Sequence, residues 1–301
     1  MQGIVLRAYS DVFDVQAEDG SLWQCKVAGR LKKEARRTTL IAAGDRVTFT
    51  PAQSGHHLGL IIHIHPRQRV LSRRRPDSSH PYEDVILANP DAILIVFAVA
   101  RPEPNVRLLD RFLVAAEAAA VPAVGIVANK VDLVDIDVAR GLFGLYETIG
   151  YPVFYTSAKT GLGVPELREH LQGQITVVTG PSGVGKSSLI NAIEPGLNLR
   201  VGELMAIGKG RHTTRAAQLH PLRGGGYIAD TPGLRELGLW DVEPEEVGDY
   251  FPEIRRYADG CRFRRCTHLH EPDCAVRAAV TAGAIAPSRW ESYTRLAQGE
   301  P

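Results

Sequence analysis

Gly180-Pro-Ser-Gly-Val-Gly-Lys-Ser-Ser188 decides the fold of this chain. The apolar run Gln174–Thr179 leads into it and the helical pattern Ser188–Ile193 leads out, so it reads as strand, glycine-rich loop and helix with the spacing G-x-x-x-x-G-K-S. Gly180, Gly183 and Gly185 let the backbone turn tightly and aim its N–H groups at phosphate oxygens, with Pro181, Ser182, Val184 and Ser188 completing the cradle. Lys186 reaches the β- and γ-phosphates, which makes it a candidate catalytic group, and the Ser187 hydroxyl is placed to ligate Mg²⁺. The helix N-terminus behind the loop adds a field that favours an anion.

Upstream, strand and helix signals alternate as in an α/β domain with a parallel sheet. Ala92–Val99 reads as a buried strand, Val106–Ala120 as a helix, and Ala123–Ala128 as a second buried strand running into Asn129-Lys-Val-Asp132. Val138–Ile149 is a helix that stops at Gly150, Val153–Tyr155 a strand before Ser157-Ala-Lys159, and Val164–Leu171 a short helix. Asp132 can accept from guanine N1–H and the N2 amine. Adenine offers neither donor, so a buried Asp132 would stay unpaired against ATP at a cost of about 1–3 kcal/mol or more. Asn129 can tie the strand ends together, the Lys130 stem can cover the base, and the backbone N–H groups of Ser157, Ala158 and Lys159 suit the guanine O6.

Downstream of the loop, Gly208–Arg215 reads as a flexible segment, and a hairpin through Gly224-Gly-Gly226 returns as Tyr227–Asp230. Asp230-Thr-Pro-Gly233 at a strand end is a metal and γ-phosphate sensor: Asp230 holds Mg²⁺ through water and the Gly233 N–H touches the γ-phosphate. Thr213 or Thr214 supplies the other Mg²⁺ ligand, and the sequence does not choose between them. The signatures therefore run in a rotated order, with the phosphate loop third. The expected fold is a circularly permuted α/β P-loop GTPase domain with a mostly parallel sheet, joined anew by the helix at 164–171.

The first 65 residues read as five short strands, Gly3–Ala8, Val12–Ala17, Leu22–Val27, Arg46–Thr50 and Leu58–Ile64, with turns at Asp19-Gly20 and Ala43-Gly44-Asp45. This fits a barrel of the oligonucleotide-binding (OB) type, which periodicity alone does not separate from an SH3-like barrel. The net charge of +1 hides an asymmetry: residues 1–75 hold thirteen Lys/Arg against six Asp/Glu. That surplus points to a polyanionic partner, nucleic acid before others. Arg30, Lys32, Lys33, Arg36 and Arg37, between the third and fourth strands, are the RNA-binding candidates. Residues 67–90, rich in Arg, Ser and Pro, read as a linker whose Arg73, Arg74 and Arg75 are free to meet phosphates. The expected domains are thus a barrel at 1–66, a linker at 67–90, the GTPase domain at 91–238 and a helical metal-binding tail at 239–301.

No run of eighteen apolar residues occurs and the N-terminus lacks a signal-peptide core, so no membrane association is expected. Of the four cysteines, Cys25 reads as a core thiol and three lie close together. This suggests a metal site in a reducing cytoplasm rather than disulfides. Cys261, Cys266 and Cys274 with a histidine make a closed four-ligand shell, the mark of one structural Zn²⁺. Such a filled shell also argues against a zinc hydrolase. Arg262, Arg264 and Arg265 on the same knuckle suit either RNA or solvent. The tail helices, Ala275–Ala282 and Ser288–Ala297, are too short to hold a separate core without the metal.

On the basic barrel, NKVD at 129–132, SAK at 157–159, GPSGVGKSS at 180–188, GRHTT at 210–214, DTPG at 230–233 and the cysteine cluster, the chain resembles the RsgA (YjeQ) family of circularly permuted, ribosome-associated GTPases over its whole length. That resemblance implies a GTPase, here a monomer, that turns GTP into GDP and phosphate on the small ribosomal subunit late in its maturation, with barrel and tail gripping ribosomal RNA. It also selects His268 over His270 as the fourth metal ligand. Leu234 stands where a Ras-like enzyme places its water-orienting glutamine, so intrinsic hydrolysis is expected to be slow. The resemblance and its position nominate His212 to orient water. The competing reading is a guanine-nucleotide-regulated RNA-binding module with negligible turnover.

Overall fold

The computed structural model describes residues 1–9, 11–32, 38–52, 56–74, 83–199, 217–230 and 242–300. The candidates Lys33, Arg36, Arg37, His212, Thr213, Thr214 and Gly233, with Arg75 and Leu234, lie outside them. The N-terminal strands are β1 (Gln2–Tyr9), β2 (Val12–Ala17), β3 (Leu22–Val27), β4 (Arg46–Pro51) and β5 (Leu58–Ile64). They pair in the order β1-β2-β3-β5-β4, and β4 returns to β1 to close the barrel. Alternate residues point inward, so Val5, Phe13, Val15, Cys25, Val47, Phe49 and Ile61 fill it. Burial in that core pushes the Cys25 thiol up to about 11, with Asp14 adding to it. Arg30, in the short helix α1 (Gly29–Lys32), donates to the Ile62 carbonyl at 2.8 Å and stays exposed.

The stretch expected to be a linker is structured in its described part. Strands β6 (Val70–Arg74) and β7 (Glu83–Ala88) form an antiparallel pair. Leu71, Val85 and Leu87 are buried there; this alternation sits among polar residues that hide it in the sequence. The pair is clamped to the barrel. Arg67 forks onto the fully buried Asp45 with two 2.8 Å bonds, and Asn89 donates to the Gly44 carbonyl at 3.0 Å. Gly44, at φ +87, lies so near Ala88 that a Cβ would stand 2.0 Å from its carbonyl oxygen.

The second half of the sheet is β8 (Ala92–Ala98), β9 (Ala123–Asn129), β10 (Val153–Thr156), β11 (Ile175–Thr179), β12 (Gln218–Pro221) and β13 (Tyr227–Asp230), in the order β10-β9-β8-β11-β13-β12. All pairings are parallel except β12 with β13. Every residue of β8 and β11 is buried, the pattern of a strand covered on both faces. From β8, Ile93, Ile95 and Phe97 face α2 (Val106–Ala118) and α3 (Ile136–Ile149). Leu94, Val96 and Ala98 face α4 (Val164–His170) and α5 (Lys186–Ile193) on the other side. Counted from β11 as the first strand, the order becomes 2-3-1-4-5-6, an unbroken P-loop sheet, with α4 as the join that permutation creates.

The barrel is sewn to this sheet. Strand β1 bulges between Val5 and Arg7, leaves β4, and pairs Arg7 with Gln218 of β12. The Tyr227 hydroxyl, on β13, bonds Gln16 of β2 at 3.0 Å. Leu6 joins Ala217 and Leu219 in the core beneath.

The tail packs α6 (Pro252–Ala258), α7 (Ala275–Thr281) and α8 (Pro287–Ala297) around Phe251, Ile254, Val276 and Tyr293, a cluster that also takes in Val114 from α2. The tail helices therefore share a hydrophobic core, where the sequence leads one to expect that they need a metal to hold together. Arg289 of α8, 1% exposed, donates to Asp110 of α2 at 2.5 Å and to Glu253 of α6 at 2.6 Å. Tyr146 of α3 donates to the same Asp110 oxygen at 2.8 Å. No helix of the described residues is long and apolar enough to cross a membrane.

Candidate nucleotide site and metal centre

Because β8, β9, β10, β11 and β13 run parallel, their carboxyl ends share one edge of the sheet, where such sheets bind ligands. NKVD follows β9, SAK follows β10, the phosphate loop follows β11 and Asp230 ends β13. The rotation of sequence order leaves this convergence untouched.

Asn129 is the knot. Its amide donates to the Val184 carbonyl in the phosphate loop at 2.9 Å, while its Oδ1 accepts from Thr156 at 3.2 Å and from the Ala158 N–H at 3.3 Å. Two loops and the end of β10 are thus fastened to one buried side chain. Lys130 turns into the left-handed region at φ 66 and sends its ammonium across the phosphate loop, to the Gly183 carbonyl at 2.6 Å and to the Arg101 carbonyl. Burial pulls the Lys130 ammonium below its ordinary value, against the opposing pull of Asp132.

Asp132 departs from expectation: it is exposed, not buried. One oxygen accepts from the Ser157 hydroxyl at 2.6 Å, which also receives the Thr160 N–H at 3.1 Å. Ser157 is the holder of that carboxylate, whereas the sequence assigns a role to its backbone alone. Ala158 lies half-buried and Lys159 is exposed.

In the phosphate loop, Gly180 at φ +138 passes so close to β8 that a Cβ would sit 2.1 Å from the Val96 carbonyl oxygen. Gly185 at φ +94 caps α5, and a Cβ there would meet Asn129 at 2.7 Å. The Lys186 ammonium bonds the Gly180 and Pro181 carbonyls at 2.8 and 2.6 Å, which holds it at the loop mouth. Val184 is buried and anchors the loop, Ser182 is exposed, and Ser187 is buried in the first turn of α5. Asp230 lies one residue past Ala229, which is in register with Val177 of the neighbouring β11. Ser187, behind the loop, and Asp230, the last residue of the neighbouring parallel strand, are residue types whose oxygens Mg²⁺ takes.

Two family models match the chain, the RsgA GTPase model over residues 64–240 and the RsgA N-terminal domain model over residues 2–61. The chain belongs to the RsgA GTPase family. A small ribosomal subunit biogenesis GTPase RsgA of Gemmatimonas aurantiaca is 48% identical, over 98% of this chain and 95% of its own length. One from Bacteroides fragilis is 42% identical, over 98% and 96%. Among solved structures, YjeQ of Thermotoga maritima matches with a TM-score of 0.80 at 38% identity, covering 99% of this chain and 97% of that one. YloQ, described as a circularly permuted GTPase, gives 0.77 at 32%, covering 99% and 94%. This RsgA family member is accordingly a GTPase with a permuted nucleotide domain, a five-stranded OB-like barrel and a Cys/His cluster in its tail.

That cluster is Cys261, Cys266, His268 and Cys274, whose ligand atoms all lie within 4.8 Å of one another. Cys261 and Cys274 sulfurs stand 3.8 Å apart, and each is 3.4 Å from His268 Nδ1. A tetrahedral zinc shell has S···S edges of about 3.8 Å and S···N edges of about 3.5 Å, given Zn–S and Zn–N distances of about 2.3 and 2.05 Å. The donors fit that ion. His270 is exposed and outside the group. Thr267 gives its N–H and hydroxyl to Glu271 Oε1 at 2.7 Å each, and Tyr293 bonds the Thr267 carbonyl, so the residue before His268 is pinned. Burial alone would raise the Glu271 carboxyl; these bonds, with that of the His270 N–H, hold it at about 2.

Proposed function

We propose that this chain hydrolyses GTP to GDP and phosphate while bound to the small ribosomal subunit, late in that particle's maturation, as a cytoplasmic monomer that grips ribosomal RNA. The observation that carries the reading is the bonding of Asn129 to both the phosphate loop and the SAK loop, which brings the base-reading and phosphate-reading segments to one strand edge. The names of its relatives, each a small ribosomal subunit biogenesis GTPase, supply the partner.

Asp132, oriented by Ser157, accepts from the guanine edge; Asn129 fixes the loop beneath; the Lys130 stem covers the base. The backbone of 180–185 and the Lys186 ammonium cradle the phosphates. Ser187, Asp230 and either Thr213 or Thr214 are the residues that hold Mg²⁺, which neutralises charge on the β- and γ-phosphate oxygens when bound. The Gly233 N–H reads the γ-phosphate and His212 orients the attacking water. Cys261, Cys266, His268 and Cys274 hold one structural Zn²⁺, and the basic loop with Arg30, Lys32, Lys33, Arg36 and Arg37 meets RNA phosphates.

The test is GTP turnover with and without purified small subunits, beside co-sedimentation under a non-hydrolysable GTP analogue or GDP over a range of salt. Stimulated turnover, lost in His212→Ala, is the expected result. Binding without stimulation would leave the passive RNA-binding module as the correct description.

A further inference from the structure

The loop between Cys261 and Cys266 presents Arg262, Phe263, Arg264 and Arg265, all exposed. Phe263 is 43% exposed, and among the described residues it and Tyr9 are the large exposed hydrophobics that carry a ring. The loop under it is fixed. Both its ends belong to the four-residue cluster, with the Cys261 sulfur 3.4 Å from His268 Nδ1, and the turn that follows is pinned by the two 2.7 Å bonds from Thr267 to Glu271. A ring offered from such a base loses little entropy on contact. Arg262 lies 5.7 Å from the Phe263 centroid and is itself held by Asp273 at 2.9 Å. Of the three arginines only Arg262 has a carboxylate partner among the described residues. Two exposed guanidinium groups with no carboxylate partner among the described residues, beside a ring that is 43% exposed and approached by Arg262, match one ligand chemistry: a planar base with phosphates on either side. Paired duplex keeps its base faces stacked inside, and an acidic peptide would satisfy the charges but leave the ring without a planar partner.

We infer that this loop is a platform for one unpaired RNA nucleotide, with Phe263 stacking the base and Arg264 and Arg265 holding the flanking phosphates. The inference rests on the RNA-binding part of the proposed function and adds to it a preference for single-stranded RNA. The probes are a stem–loop RNA and a blunt RNA duplex of equal length, bound to the full-length, zinc-loaded protein. Phe263→Ala is expected to weaken stem–loop binding about 5- to 150-fold, leave duplex binding unchanged and keep the salt slope. Phe263→Trp restores the affinity. The Arg264→Ala/Arg265→Ala pair flattens the slope of log K against log salt by about 1.4. A 5-iodouracil in the stem–loop's unpaired segment crosslinks to Phe263, and one in the stem does not. Zinc content and melting temperature of Phe263→Ala match wild type. Equal stem–loop affinity in Phe263→Ala and wild type, or an equal loss on both RNAs, overturns the platform while RNA binding stands. Absence of binding to either RNA by the wild type at low salt overturns the RNA reading itself, and preferential capture of an acidic peptide assigns the loop to protein.

Discussion

Replacing Arg289 by methionine is the sharpest probe of how the tail is held. The guanidinium is 1% exposed and carries Asp110 at 2.5 Å on one side and Glu253 at 2.6 and 3.3 Å on the other, stacked 4.4 Å from the Phe251 ring. Methionine fills most of the volume but strands two carboxylates, and breaking a buried ion pair from one side costs about 3–5 kcal/mol. At roughly 2–4 °C per kcal/mol for a large domain, the melting temperature falls by about 6–20 °C. Two controls separate charge from packing. Adding Asp110→Asn and Glu253→Gln to Arg289→Met removes the stranded charges, while the new amide oxygen on α2 still accepts from Tyr146, and most of the loss returns. Arg289→Lys keeps a charge but not the fork, and recovers less. Calorimetric melting at saturating zinc reads all of these. A single variant melting within about 1 °C of wild type, or a triple variant weaker than the single, refutes the reasoning.

Three further outcomes follow from the site. Asp132→Asn is expected to erase about 5- to 150-fold of the preference for GTP over ATP. Ser157→Ala, which frees the 2.6 Å partner of Asp132, weakens GTP about 2- to 12-fold and leaves ATP alone; competition against a fluorescent guanosine nucleotide measures both. Chelation, or Cys274→Ser, should release the bound zinc and expose the tail to protease, and acid should do the same because three thiols and an imidazole must lose protons to bind it. Burial and then Arg7 lower the His220 pKa below 6.5, so the folded form binds this proton less readily than the unfolded chain. Stability from this residue is complete above 6.5 and falls as the solution is acidified through it, a loss that His220→Gln should abolish in melts across that range.

What could be read in advance was local. The phosphate loop, NKVD and SAK are each a few adjacent residues at strand ends, and parallel pairing brings strand ends together whatever their order in the chain. The barrel strands were visible because one face is wet and the alternation is clean, as in β2, where Phe13, Val15 and Ala17 point inward. The β6–β7 pair was missed because Val85-Ile-Leu87 is short and its partner strand is rich in arginine. The Arg289 network had no signal at all: its partner Asp110 lies 179 residues away, and one arginine on an amphipathic helix looks like any solvated face. Burial of Asp132 is an expectation from its task alone; in the structure the carboxylate is exposed and held by Ser157.

The one-residue seam from Arg7 to Gln218 bears on how the molecule can be cut. A fragment beginning at residue 64, where the GTPase family model starts, would finish its sheet at β12 with the Gln218 position unpaired and the strand's edge uncovered, and Leu219 would lose its neighbour Leu6. Bare edges of that kind recruit strands from other molecules. Trimmed pieces of this protein should therefore clump on a sizing column, and co-expressing the missing barrel as a separate chain should restore a discrete particle.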